Sequence, residues 1–84
     1  MDSASMRIEY ILYASYADHM PEKADGKPCE LGMEEGVTVG MLIERLQLPE
    51  DSPKMVFVNG LRAREDAYLK EGDRVGIFPL VAGG

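Results

Sequence analysis

Apolar and polar residues change their spacing along this chain in a way that sorts it into short strands around one helix. Arg7-Ile8-Glu9-Tyr10-Ile11-Leu12-Tyr13 is rich in β-branched and aromatic residues, which suit a pleated, half-buried surface. Period-two alternation places Ile8, Tyr10 and Leu12 on one face and Glu9, Ile11 and Tyr13 on the other. Cys29-Glu30-Leu31-Gly32-Met33 predicts a short second strand with Cys29, Leu31 and Met33 on one side. Glu34-Glu35-Gly36 then turns the chain, so the two strands make a hairpin-like pair. Between them, Ala17 to Pro28 mixes turn formers and charges without periodicity and predicts a loop, long for so small a domain.

At Thr38 the spacing changes. Thr38 suits a helix N-cap, and Val39, Leu42, Ile43 and Leu46 follow at i, i+3, i+4 and i+7, one apolar stripe of an amphipathic helix that Pro49 ends. Met55-Val56-Phe57-Val58 predicts a strand, Asn59-Gly60 a tight hairpin turn, and Leu61-Arg62-Ala63-Arg64 the short return strand. Glu65 to Lys70 is a connector with Tyr68 and Leu69 as core anchors, and Glu71-Gly72-Asp73 turns into a last strand, Arg74 to Phe78. Pro79, with its fixed φ and no N–H, should end that strand.

The order β-β-α-β-β-β predicts an α+β domain in which a mixed sheet of four to five strands packs on one main helix. The helix stripe would bury against Ile8, Tyr10, Leu12, Val56, Val58, Val75 and Ile77. The opposite face would show Ile11, Tyr13, Phe57 and Phe78 to solvent, the kind of surface that marks a protein interface.

Length and charge narrow the possibilities further. A chain of 84 residues is a single domain over 1–84, with room for one modest core but not for a core plus a deep catalytic cleft. A net charge of -6 makes nucleic acid and anionic membrane poor partners and a basic protein surface a good one. One cysteine allows no internal disulfide, and charges interrupt every apolar run, so the expected location is cytoplasmic.

No catalytic constellation stands out. His19 is the only histidine and has no neighbours at metal-ligand spacing. Cys29 has no visible base and reads as a small buried core residue. Met33, Met41 and Met55 fall on presumed core positions, and no glycine-rich phosphate loop is present. Interest concentrates instead in the last eleven residues, Arg74 to Gly84, where a strand stopped by Pro79 runs out as a flexible tail over about 79–84. Glycines 83 and 84 carry no side chain, so a partner's active site could close around their backbone. The reactive group would then be the carboxylate of Gly84.

With the order of elements and the tail in view, the chain resembles the ubiquitin-like β-grasp sulfur carriers, the family of the molybdopterin synthase small subunit (MoaD) and the thiamine-pathway carrier (ThiS). The resembling residues are Val37-Thr38-Val39-Gly40-Met41-Leu42-Ile43, Val56-Phe57-Val58-Asn59-Gly60, Leu69-Lys70-Glu71-Gly72-Asp73-Arg74-Val75 and Phe78-Pro79-Leu80-Val81-Ala82-Gly83-Gly84. The resemblance implies that an E1-like enzyme adenylates Gly84 and that the product becomes a thiocarboxylate. It implies that Gly83, Ala82, Val81 and Leu80 lie in partner channels, with Pro79, Phe78 and Phe57 at the contact. The chain would bind no cofactor; ATP and metal would belong to the activating partner. The sulfur-accepting partner would be an enzyme such as a molybdopterin synthase large subunit, the side that the Phe-Pro-x-Val-Ala lead into the glycines favours. A thiamine-pathway carrier, a ubiquitin-like modifier joined through Gly84 to lysines, and an interaction domain with an inert tail stay open.

Overall fold

The computed structural model describes residues 5–21, 26–49 and 52–80. Alternation at the start of the chain produces strand β1 over Ser5–Leu12, with Met6, Ile8, Tyr10 and Leu12 all buried. The strand begins before Arg7 because Met6 already occupies an inward position. Strand β2, Cys29–Glu34, pairs antiparallel with β1, and Cys29 lies opposite Tyr10. Helix α1 spans Val39–Arg45; the Met41 N–H donates to Thr38 Oγ1 at 3.3 Å, and Val39, Leu42 and Ile43 are buried. Strands β3 (Lys54–Val58), β4 (Leu61–Ala63) and β5 (Arg74–Pro79) complete the fold.

The five strands form one mixed sheet in the order β2-β1-β5-β3-β4. The last strand is thus the central one, parallel to β1 and antiparallel to β3. The inward residues of the sheet and the stripe of α1 share one core, in which Ile8, Val39, Leu42, Val75 and Ile77 are the largest fully buried side chains. Val58 packs at its margin, half-buried.

Four expectations need correction. Ala14–His19 winds into a 3-10 helix, so the loop expected from Ala17 starts later; residues 22–25 of it lie outside the described residues. That helix exists because Tyr16 is buried, its hydroxyl 3.1 Å from Ser52 Oγ, a long-range contact that leaves no local periodicity. Tyr68 is not a core anchor: it is 71% exposed while Leu69 is buried, since neighbours in an extended segment point opposite ways. Cys29 is half-buried rather than buried, because β2 is an edge strand. Met41 is exposed and Met55 half-buried; Met41 lies off the 39/42/43 stripe and Met55 on the outer sheet face.

One polar knot around the buried Asp73 sets where β5 begins. Asn59 and Gly60 both have positive φ, 55° and 83°, as the two-residue turn between β3 and β4 requires. The Asn59 side-chain amide donates to Asp73 Oδ1 at 2.9 Å, and the Arg74 N–H donates to Asn59 Oδ1 at 3.0 Å. Asp73 is buried; its Oδ2 accepts the Lys70 N–H at 2.7 Å and its carbonyl accepts the Glu9 N–H at 2.9 Å. The hairpin turn and the connector therefore meet at the Asp73 carboxylate, and β1 joins them at the same residue's backbone carbonyl. Asn59→Gly keeps the left-handed turn but loses both side-chain bonds, and should lower unfolding free energy in urea by about 1–3 kcal/mol. Asn59→Asp should lose more, because it sets a second carboxylate against Asp73 with no donor between them. Equal losses for the two variants would show that the turn backbone, not the knot, carries the stability.

Candidate functional site

The face of the sheet away from α1 follows directly from the register. Across its middle run Ile11, Gly76, Phe57 and Arg62, each opposite the next on β1, β5, β3 and β4. Toward the end of β5, Phe78 lies opposite Met55; toward its start, Arg74 lies opposite Glu9. Tyr13 extends the β1 ladder by one bond, its N–H donating to the Ile77 carbonyl at 3.1 Å.

These side chains cover one another. The Tyr13 and Phe78 rings stack with centroids 4.2 Å apart and planes 3° from parallel, and Phe57 meets Phe78 edge-on at 5.9 Å, both favoured aromatic geometries. Ile11, Phe57 and Phe78, expected to face solvent, are consequently half-buried, and only Tyr13 is exposed. Gly76 makes the arrangement possible: a Cβ there would lie 3.3 Å from Tyr13 Cε2. An interior strand glycine often marks such a close approach, which is the signal the sequence carried for it.

A shallow groove runs along this face over Gly76. Ile11 and Pro28 border it on the β1 side, Phe57 and Gly60 on the β3 side, and Tyr13 with Phe78 closes one end. Its other end is charged, with Arg74 Nε 3.7 Å from Glu9 Oε1, and farther out Arg7 Nη1 3.3 Å from Glu30 Oε1. Both pairs are solvent-exposed and contribute little to stability; their effect is to make the face polar at one end and aromatic at the other. On the core-facing side, burial and then the neighbouring Cys29 raise the Tyr10 hydroxyl above its ordinary pKa.

The aromatic end is the end from which the tail leaves. Pro79 is the last residue of β5, opposite Lys54, and the Leu80 N–H donates to the Pro53 carbonyl at 3.0 Å. The chain therefore stays on the sheet past Phe78. Proline is tolerated there because β1 pairs no further than the Ile77 level, so the missing N–H deprives no strand. Leu80 is 41% exposed. The structure thus brings Phe57, Phe78, Pro79 and Leu80 to one end of the sheet; Val81, Ala82, Gly83 and Gly84 lie outside the described residues. Gly76 and Arg62 join the site without having been assigned to it from the sequence, which had placed Tyr13 on this face but not among the contact residues.

A five-stranded mixed sheet with the last strand in its centre and one main helix is the ubiquitin-like β-grasp fold. The chain belongs to the ThiS family, whose model matches residues 22–84. Among solved structures it is similar to the Haloferax volcanii HVO 2177 protein, at 26% identity and TM-score 0.79 over 100% of this chain and 92% of that one. It is similar to a Pyrococcus furiosus protein provisionally named molybdopterin converting factor, subunit 1, at 27% identity and TM-score 0.68 over 90% of this chain and 99% of that one. SAMP1 from Haloferax volcanii shares the fold at 23% identity and TM-score 0.64, over 93% of this chain and 99% of that one. No curated protein matches the chain. Among the described residues no helix is long and apolar enough to cross a membrane.

Gly76→Ala should change stability by less than about 1 kcal/mol, since the entropy a glycine loses on folding offsets the crowding. It should nonetheless push the Tyr13 ring off Phe78, read as a shift of the Tyr13 ring protons by NMR. Unmoved Tyr13 resonances would show that the close approach does not hold the stack.

Proposed function

We propose that this chain is a sulfur carrier whose reactive group is the carboxylate of Gly84. A carboxylate oxygen attacks the α-phosphorus of ATP on an E1-like partner and pyrophosphate leaves. A hydrosulfide-level sulfur nucleophile then adds to the acyl carbon and AMP leaves with the oxygen. One oxygen is exchanged for one sulfur, without net oxidation, and the thiocarboxylate passes sulfur to an accepting enzyme in cofactor biosynthesis. ATP and any metal belong to the activating partner.

Membership of the ThiS family carries this reading, and the geometry supports it. MoaD- and ThiS-like ubiquitin-fold proteins act as carriers rather than catalysts, and here the central strand leads from the aromatic face straight to Leu80. Phe57, Phe78 and Pro79 would meet the partner while Leu80 to Gly83 thread its channel. Similarity to the Pyrococcus furiosus protein provisionally named molybdopterin converting factor, subunit 1 favours molybdopterin as the product, with an enzyme such as a molybdopterin synthase large subunit as acceptor. The acidic balance of the chain, -6 overall, suits basic partners inside the cytoplasm.

Intact mass spectrometry after incubation with ATP, the E1-like enzyme and a sulfur donor tests the reading. A mass gain equal to the exchange of one oxygen for sulfur is expected, and it should vanish on deleting Gly84. Phe78→Ala should retain the exchange at saturating enzyme but weaken docking about tenfold or more, as loss of a central aromatic anchor does. Heavier species with amide links to lysines, stable to denaturant and reductant, would replace the carrier with a protein modifier. A natural chain continuing past Gly84, or no change of mass at all, would overturn both.

A further inference from the structure

The outer face carries a charge that the carrier reading leaves unused. Arg62 stands directly opposite Phe57 on β4, a three-residue edge strand. Three other arginines each have a carboxylate close by: Arg7 with Glu30 at 3.3 Å, Arg64 with Asp66 at 3.3 Å and Arg74 with Glu9 at 3.7 Å. Among the described residues Arg62 and Arg45 have none, although the chain has a net charge of -6; Arg45 lies on α1, so Arg62 is the one on the outer face. Glu34, Glu35, Glu44, Glu65, Asp66 and Glu71, all exposed, lie outside the groove. Beside the groove, Glu9 is matched by Arg74 and Glu30 by Arg7, whereas Arg62, exposed one strand beyond the groove residue Phe57, has no matching carboxylate among the described residues.

We propose that the adenylating partner seats one apolar side chain in the groove against Phe57 and places a carboxylate beside it on the Arg62 guanidinium. The inference rests on the carrier reading and names the chemistry of its docking contact. Long-range attraction draws this acidic chain toward a basic surface, whereas the contact itself calls for a single acid. A guanidinium presents two parallel N–H donors to a carboxylate, so the pair sets orientation as well as attraction. Orientation matters here because Phe57 touches Phe78, and Phe78 leads through Pro79 to Leu80. A partner held at Arg62 and Phe57 therefore receives the tail in one direction.

The test compares Arg62→Glu with Arg45→Glu in ATP–pyrophosphate exchange by the E1-like enzyme that adenylates the wild-type chain. Arg45 is exposed in the last turn of α1, so the second variant makes the same charge change away from the groove. Circular dichroism and thermal unfolding confirm that both fold. Arg62→Glu should raise KM about tenfold or more with kcat unchanged, Arg45→Glu should leave KM within about twofold, and Arg62→Lys should fall between. Adenylation of the wild type with equal effects of the two reversals overturns this inference alone, because only net charge would then matter. A wild-type chain that no E1-like enzyme adenylates overturns the carrier reading and this inference with it.

Discussion

Everything in this molecule depends on the position of β5 between β1 and β3. The parallel pairing, Glu9 with Arg74 through Leu12 with Ile77, joins strands near the two ends of the chain, while the antiparallel pairing, Lys54 with Pro79 through Val58 with Val75, holds the other side. A strand pinned on both sides has every inward residue committed: Val75 and Ile77 sit at the bottom of the core against α1. Its outward residues, Arg74, Gly76 and Phe78, become the middle of the open face. The strand that anchors the core is also the one that leads on to Leu80.

Asp73 and Tyr13 act at the two ends of that strand. Asp73 gathers the Asn59 turn, the Lys70 amide and the Glu9 amide at the start of β5, so the register is set by a buried polar group with directional bonds. Among the described residues no such group lies at the far end. There the order comes from ring packing, Tyr13 on Phe78 and Phe78 against Phe57, and from the Leu80 amide bonded to Pro53. Directional hydrogen bonds fix the start, and a surface of packed aromatic rings lies near Leu80. That division suits the proposed entry of the tail into another protein's active site.

Much of this was legible from residue spacing. The stripe Val39, Leu42, Ile43 behind a Thr38 cap, the Asn59-Gly60 turn and the alternation of β1 are local patterns with periods of 3.6 or two, and each produced the expected element. Four readings failed, three of them because long-range contacts decided them. Tyr16 sits in a polar stretch and is buried through contact with the segment around Ser52; Tyr68 and Leu69 are both large apolar residues, and only the direction of the connector chooses between them. Cys29 looked like a core residue until its strand proved to be an edge. Met41 shares the helix but not its buried stripe.

The candidate face shows the same split. Alternation alone put Ile11, Tyr13, Phe57 and Phe78 on one side of the sheet, and the order of elements with a glycine tail was enough to place the chain near the ubiquitin-like carriers. Periodicity within a strand, however, says nothing about which strands are neighbours. Only the order β2-β1-β5-β3-β4 sets Gly76 between Ile11 and Phe57, closes Tyr13 over it and leaves Arg62 beside the aromatic rings. Those residues are far apart in the chain and share no local pattern; pairing between distant strands brings them together.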